Sequence, residues 1–552
     1  MTAPPKWQRL AVAAALFVGA LALLVSTARG LGYARDEGFY FHAGRTYGAW
    51  LELLATDRAE AMKRQVIDAH FSVNSEHPGL IKLAFAASHV VLDGRWRLFD
   101  EPGTAFRFPA MALAAALCAA LYLRASRAGH AAGLVAALSL LFMPRFFYHA
   151  HLACFDVPIT AMFFFVCLAY ERALETRGPA WPAITGVLFG LALDTKHNSW
   201  FLPIAFTAHA VVLAAIALRE RRGVLQATRR SLATLGSMAL LGPPVFVALW
   251  PWLWHEPYER FLGYARFHLE HDYYNMEFLG SNYFQPPFPR LYAPLMTLAT
   301  VPLVTLAVGA WGALSSLRSL GKDILRRAAG ASGAHRSTLL WALAIGASYG
   351  AWLSSSTPIF GGTKHWMTAY PFFALFAARG FLLASRRARV ALPIASALTR
   401  RGLGAALAAC LLAAPAYEAL HAHPWGLTAY GPVIGGAPGA ASLGLNRGFW
   451  GYTTGSVVDY LNQAVPKNGK VYVHDTAWPS WEMLQEDGRL RKDIRGVGRV
   501  AEADFALYHH EKHMQGEEYQ AWVAFGTTRP EVVRGLDGVP VVMVYRRKPP
   551  AP

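Results

Sequence analysis

Cysteine is scarce in this chain. Four residues in 552 (Cys118, Cys154, Cys167 and Cys410) show no CxxC spacing, and three of them fall inside predicted membrane spans. Neither a disulfide framework nor a thiolate metal site is indicated. Charge is scarce too, at 16% of residues against 54% hydrophobic, and Asp and Glu are outnumbered 35 to 52 by Lys and Arg. A soluble enzyme does not have that balance. A Walker loop and a zinc-binding helix are absent, and the glycines at 435, 436 and 439 lack the preceding strand and the spacing of a dinucleotide motif. Nucleotide-driven chemistry is therefore unsupported. No internal repeat or low-complexity tract is visible. The net charge of +17 does not imply nucleic acid, because the basic residues sit in short loops and form no stripe on a soluble face.

Long apolar tracts separated by Arg-rich patches take the place of these features, which is how lipid-embedded helices alternate with polar connections. About eleven spans are expected, over residues 10–29, 104–123, 130–145, 156–171, 181–195, 199–218, 232–254, 291–314, 338–355, 366–384 and 402–417. The first reads as an uncleaved anchor behind Lys6 and Arg9, since Ser26-Thr27-Ala28 is a poor cleavage site. With the amino terminus inside, Arg124, Arg127, Arg172, Arg177, Arg219, Arg229, Arg318, Arg326, Arg327 and Arg386 all fall on the inner side. The outer connections beyond the long first loop carry only Arg145, Lys196, Arg260, Arg266, Arg290 and Lys364, as the positive-inside rule requires. An odd span count sends the carboxyl terminus outside.

Three outer segments are large. Residues 30–103 read as two interfacial helices, with stripes at Phe39, Ala43, Tyr47, Trp50 and Leu54 and at Leu80, Leu83, Ala87 and Val91. Residues 255–290 form an aromatic-rich ordered loop containing "QPPFP". From residue 418 the composition becomes soluble. Strands at 470–474, 504–509 and 540–546 alternate with helices at 455–464, 478–487 and 515–525, a small α/β domain. The fold class is thus a polytopic α-helical membrane protein, residues 1–417, with a small C-terminal α/β domain, residues 418–552.

Asp36 and Glu37 follow the first span in "GYARDEGFYF". A carboxylate at the membrane surface can serve as a general base for a hydroxyl or can hold a metal. The pair equally fits a helix N-terminal cap or a solvated turn. Asp156, in "HAHLACFDVPITAMFFF", sits where an outer turn enters the fourth span and has the same two readings. The outer cations form a complementary set: His77 and Lys82, Arg107, Arg145, His149 and His151, Lys196 and His197, Lys364 and His365. A phosphate leaving group needs such donors, while any single one is explained by snorkelling or headgroup contact.

In this order the motifs "RDEGFY", "HPGLIKL", "FRFPAMALA", "HAHLACFDVPITAMFFF", "LDTKHNSW", "WPWLWHEP" and "TKHWMTAYPFFALFAARG" resemble the C-type (GT-C fold) membrane glycosyltransferases. The likeness is in particular to family 39, which includes the protein O-mannosyltransferases and the aminoarabinose transferases of lipid A, over residues 30 to 385. The resemblance implies a bacterial inner-membrane enzyme whose donor is a sugar on a polyprenyl phosphate, used from the periplasmic side. The C-terminal domain would then be periplasmic, and the acceptor a lipid, a glycan or a protein. It further implies that Asp36 deprotonates an acceptor hydroxyl for attack with inversion, and that Glu37 and Asp156 orient the acceptor. Lys82, Lys196, His365 and Arg107 would hold the phosphate, and His77, His149 and His151 would line the acceptor cavity. The cofactor is unknown; a divalent cation, if used, would sit on Asp36 and Asp156. Departures are Pro78-Gly79 where many relatives have two prolines, His197 where an aromatic is common, and the charged insert "DRAEAMKRQVIDAH".

A transporter or flippase of lipid-linked sugars is the alternative, since ionisable groups inside membranes and broken helices belong to transporters as well. It would place its charges near the midplane and show two related halves. A sensor would need the cavity without the base.

Overall fold

A computed structural model describes residues 4–325, 333–359, 361–391 and 397–548; Arg326 and Arg327, expected on the inner side, lie outside them. Among the described residues eight helices are long and apolar enough to cross a membrane: Lys6–Ala28, Pro102–Ala128, Asp156–Glu175, His197–Arg219, Val224–Leu249, Leu303–Leu325, Met367–Ala391 and Gly402–Ala422. The pair His130–Leu141 and Pro144–His151 makes a ninth span bent by 71°. Two shorter or more polar helices, Ala180–Leu193 and Gly333–Gly350, occupy the remaining predicted positions.

Prolines account for the two places where an expected span is broken. The run 130–145 stops as a helix at Leu141 because Pro144 has no N–H to continue the ladder and restricts the residue before it. The run 291–314 divides at Pro302 into Tyr292–Thr300 and Leu303–Leu325. Elsewhere glycine brings helices together. A Cβ at Gly186 would collide with the Ser237 carbonyl of the Val224–Leu249 helix, and one at Gly380 with the Val308 carbonyl of Leu303–Leu325. Such close backbone approach is how apolar helices associate where lipid is as apolar as leucine.

Residues 30–103 carry the helices Arg35–Thr56 and Leu80–Ser88. In the Arg35–Thr56 helix the stripe buries Ala43, Tyr47 and Trp50, but Phe39 is left 50% exposed. The second stripe is turned from the predicted one. Leu80–Ser88 buries Ile81, Phe85 and Ala86, because Lys82 points inward, while Leu80, Leu83 and Val91 are half-buried and Ala87 is exposed. Residues 255–290 contain the helix Pro257–Leu269 and a hairpin, β1 (Met276–Phe278) and β2 (Ser281–Tyr283).

The tail carries a five-stranded sheet. Its strands are β3 (Lys470–Tyr472), β4 (Arg495–Val497), β5 (Phe505–His509), β6 (Val532–Leu536) and β7 (Val539–Arg546), in the order β4-β3-β5-β7-β6. β3 is parallel to β4 and β5, whereas β7 is antiparallel to β5 and β6. Helices Trp478–Glu486 and Gln515–Phe525 match the expected positions. One core cluster runs from Tyr33, Phe41 and Phe106 through Trp450 and Tyr452 to Val471 and Val544, so the sheet and the start of the Arg35 helix share a single apolar interior. The four cysteines are free, and all but Cys410 are buried.

Candidate active site

The two acidic residues at the start of the Arg35–Thr56 helix part company. Glu37, fully buried, accepts four hydrogen bonds. Its Oε1 takes Arg107 Nε at 2.8 Å and the Ala153 N–H at 3.0 Å. Its Oε2 takes Arg107 Nη2 at 2.8 Å and the Ala34 N–H at 2.9 Å. The last of these ties the first turn of the helix. Arg107 also donates to the carbonyls of Ala28 (3.2 Å) and Gly32 (2.6 Å) and lies 4.3 Å from the Tyr33 ring centroid. Its donors are spent inside the protein. The structure therefore brings neither Arg107, an expected phosphate ligand, nor Glu37 to a cavity; the two are engaged with each other and with backbone groups.

Asp36 faces open space. It lines a cavity of about 520 Å³ and a smaller one of about 80 Å³, which share Asp36, Tyr40, His77 and His271. Lys364 Nζ stands 3.4 Å from Asp36 Oδ2 and 4.0 Å from the Trp450 ring centroid. Two consecutive left-handed glycines, Gly361 (φ 73°) and Gly362 (φ 60°), let the chain fold around this lysine; a Cβ at Gly361 would sit 2.5 Å from Lys364 Cε. Trp450 is itself left-handed at φ 73°, uncommon for a bulky residue and the kind of local strain found at functional positions. Its carbonyl accepts the Arg35 N–H at 2.7 Å.

The smaller cavity holds the second carboxylate. Asp156 Oδ1 meets Lys196 Nζ at 2.6 Å, and His149 Nδ1 is 3.5 Å from Oδ2. His365, its ring centroid 4.5 Å from that of Trp352 and tilted by 40°, lines the same space with Lys196, Lys364, His197 and His268. His77 lines both cavities. Burial, with His268 and the nearby lysines adding to it, holds its pKa well below the usual imidazole range, so the ring is neutral at physiological pH. The structure thus brings Asp36, Asp156, Lys196, His77 and His365 together.

Three expected cavity residues lie elsewhere. Lys82 donates to the carbonyls of Asn74 (2.5 Å) and His77 (2.9 Å), and burial pushes it down to about 7; it braces the loop that presents His77. His151 is a satisfied core histidine, with Nε2 2.8 Å from Thr27 Oγ1 and Nδ1 2.7 Å from the Phe147 carbonyl. His149 packs 5.7 Å from Trp450 and reaches Asp156 from behind. A divalent cation on Asp36 and Asp156 would have to displace Lys364 and Lys196, and among the described residues no three His, Cys, Asp or Glu side chains gather around a common point. This donor set fits ammonium groups and does not fit a divalent cation.

The large cavity also takes Arg145, one of the expected outer cations, and several residues of the tail. The bend at Pro144 turns Arg145 into it, 2% exposed, with Nε and Nη2 buried without an acceptor among the described residues and the guanidinium 4.8 Å from the Tyr430 ring. Tyr430, Phe449, Trp450, Glu511 and His513 come from the tail, and no local pattern announces their arrival.

Residues 90–250, which carry Arg107, Arg145, Asp156 and Lys196, match the family model described as dolichyl-phosphate-mannose-protein mannosyltransferase. Over that stretch the chain is similar to membrane mannosyltransferases. This agrees with the C-type glycosyltransferase resemblance of the motifs. Among solved structures, ArnT from Cupriavidus metallidurans bound to undecaprenyl phosphate aligns at 15% identity over 96% of this chain and 97% of that one, with a TM-score of 0.45. Its apo form gives 0.47. The archaeal oligosaccharyltransferase AglB from Archaeoglobus fulgidus, in complex with an inhibitory peptide and a dolichol-phosphate, aligns at 10% identity over 93% of this chain and 71% of that one, with a TM-score of 0.45. No curated protein matches the sequence.

Proposed function

We propose that this mannosyltransferase-like chain is an inverting glycosyltransferase. It moves a sugar from a polyprenyl-phosphate donor to an acceptor hydroxyl on the periplasmic face of a bacterial inner membrane. The observation that carries the reading is Asp36: a carboxylate at the junction of two cavities, outside the helix network that consumes Glu37, with an ammonium 3.4 Å away. The basic residues of the inner loops support the choice of face.

The chemistry is one displacement. Asp36 takes the acceptor's hydroxyl proton as the acceptor oxygen bonds to the anomeric carbon. The bond from that carbon to the phosphate oxygen breaks, and the polyprenyl phosphate leaves with the electron pair. Charge develops on the phosphate, so fixed cations directed there stabilise the transition state. Arg145 supplies one at the large cavity, Lys364 and Lys196 supply two at the smaller one, and the His365 ring adds a hydrogen-bond donor there. Asp156 holds Lys196 in place. With the nucleophile drawn from the acceptor, a single displacement inverts the anomeric centre.

The test is Asp36→Asn in membranes supplied with a radiolabelled polyprenyl-phosphate sugar. Transfer is expected to be lost while donor binding is retained. Transfer at the native rate would rule Asp36 out as the base.

A further inference from the structure

A second cavity of about 520 Å³ opens where the Arg35–Thr56 helix meets the tail, and it adjoins the first. Arg35, Phe39 and Met514 line both, and Asp36 lies on the helix next to Arg35. We infer that this groove is an acceptor subsite that binds a carbohydrate; the inference rests on Asp36 as the base.

The lining has the chemistry that sugars require. Phe39 and Trp478 project from the helix and from the tail with 50% and 47% of their surface exposed, and Tyr472 joins them. Large aromatics left open beside polar groups offer flat faces for the C–H side of a pyranose. Carboxylates accept from its hydroxyls. Glu517 holds the Tyr472 hydroxyl at 2.9 Å through Oε2. Asp475, whose side chain is 1% exposed, gives Oδ1 to Arg35 at 2.7 Å and shares a hydrogen bond with the Glu511 carboxyl, so it fixes Arg35 at the boundary of the two cavities. An acyl chain finds no continuous apolar wall here, because Arg35, His42, Asp475 and Glu517 interrupt it.

The geometry also explains how the acceptor would be delivered. A glycan seated between Phe39 and Trp478 has Arg35 at its inner end, and the next residue is the base. Its hydroxyl then enters the large cavity past Arg35, Phe39 and Met514, which line both spaces.

The test uses the full chain in lipid nanodiscs with a radiolabelled polyprenyl-phosphate sugar and two acceptor pools from the envelope of the source cells: oligosaccharides released by mild acid, and tryptic peptides. Label is expected in the oligosaccharides. Trp478→Ala should raise the KM for that pool about tenfold or more, with kcat much less affected. Trp478→Phe should restore most of the affinity, and Glu517→Gln should raise KM without disturbing the fold. Trp96→Ala, at an exposed aromatic remote from both cavities, serves as the control. Label in the peptides, or oligosaccharide kinetics that Trp478→Ala and Glu517→Gln leave unmoved, would overturn the subsite. Donor consumed with neither pool labelled would overturn it too. If the unaltered protein consumes no donor at all, the transferase reading falls and the subsite falls with it.

Discussion

Glu37 and Arg107 offer the sharpest separation between positioning and chemistry. Replacing Glu37 with Gln keeps the shape of the side chain and removes its charge. Arg107 would then be left as a buried cation, about 1% exposed, facing one amide and two carbonyls. Arginine does not neutralise by losing a proton. Breaking a buried pair from one side costs about 3–5 kcal/mol, so Glu37→Gln should be strongly destabilised. Arg107→Met should cost less, because Glu37 keeps two backbone donors, from Ala34 and Ala153, and a carboxylate can take up a proton. The double variant should recover most of the loss, since an apolar replacement of a buried ion pair is often neutral. Unfolding in mixed micelles, analysed as a double-mutant cycle, reads the coupling directly. Activity measured on the folded fraction should fall in step with misplacement of Asp36 and return in part in the double variant. If Glu37→Gln were as stable as the unaltered protein yet wholly inactive, Glu37 would be a chemical participant and the positioning argument would fail.

Lys364→Met should lower kcat by about two orders of magnitude with a folded protein retained, and Arg145→Met should act mainly on the KM for the donor; steady-state kinetics with the lipid-linked sugar separates the two. Asp487 accepts from the Tyr33 hydroxyl and the Gly103 N–H, and burial pushes its carboxyl up to about 6. The folded chain therefore holds that proton more tightly than the unfolded one. The resulting stability is fully present below the ordinary carboxylate pKa and is lost as pH rises through about 6, by up to roughly 3 kcal/mol; a melting series from pH 4 to 7.5 should show the decline, and Asp487→Asn should flatten it. Gly380→Val should drive a side chain into the Val308 carbonyl and destabilise the helix pair by about 1–3 kcal/mol or more, seen as loss of monodisperse protein in detergent.

Much of the membrane architecture is legible in the sequence because a span must bury its own backbone polar groups in one continuous apolar run. The breaks at Pro144 and Pro302 were equally readable, although a run counted by hydropathy alone passes over them. The edge strands β4 and β6 went unseen for the opposite reason: strands at a sheet's rim are half exposed, and "RGV" and "VVRGL" carry no alternation to find. Asp36, Asp156, Lys196 and His365 converge on one space because their motifs lie at the same end of their helices. Lys82 and Arg107 resembled phosphate ligands just as closely. What distinguishes them is which carbonyls and carboxylates surround them, a property of chain segments far apart in sequence. The same non-local origin hides Trp450, Glu511 and the groove beside Trp478.

The start of the Arg35 helix is held by residues made more than four hundred positions later: the Trp450 carbonyl on the Arg35 N–H, Ser480 Oγ on the Ala34 carbonyl, Asp475 on the Arg35 guanidinium. During synthesis the amino-terminal helices reach the bilayer long before these partners exist. A chain interrupted anywhere short of Trp450 would keep the Glu37–Arg107 tie but lack these three, leaving Asp36 on a less firmly held helix end. Competence would thus arrive only with completion, so the fold itself would time when the nascent protein begins to draw on its donor.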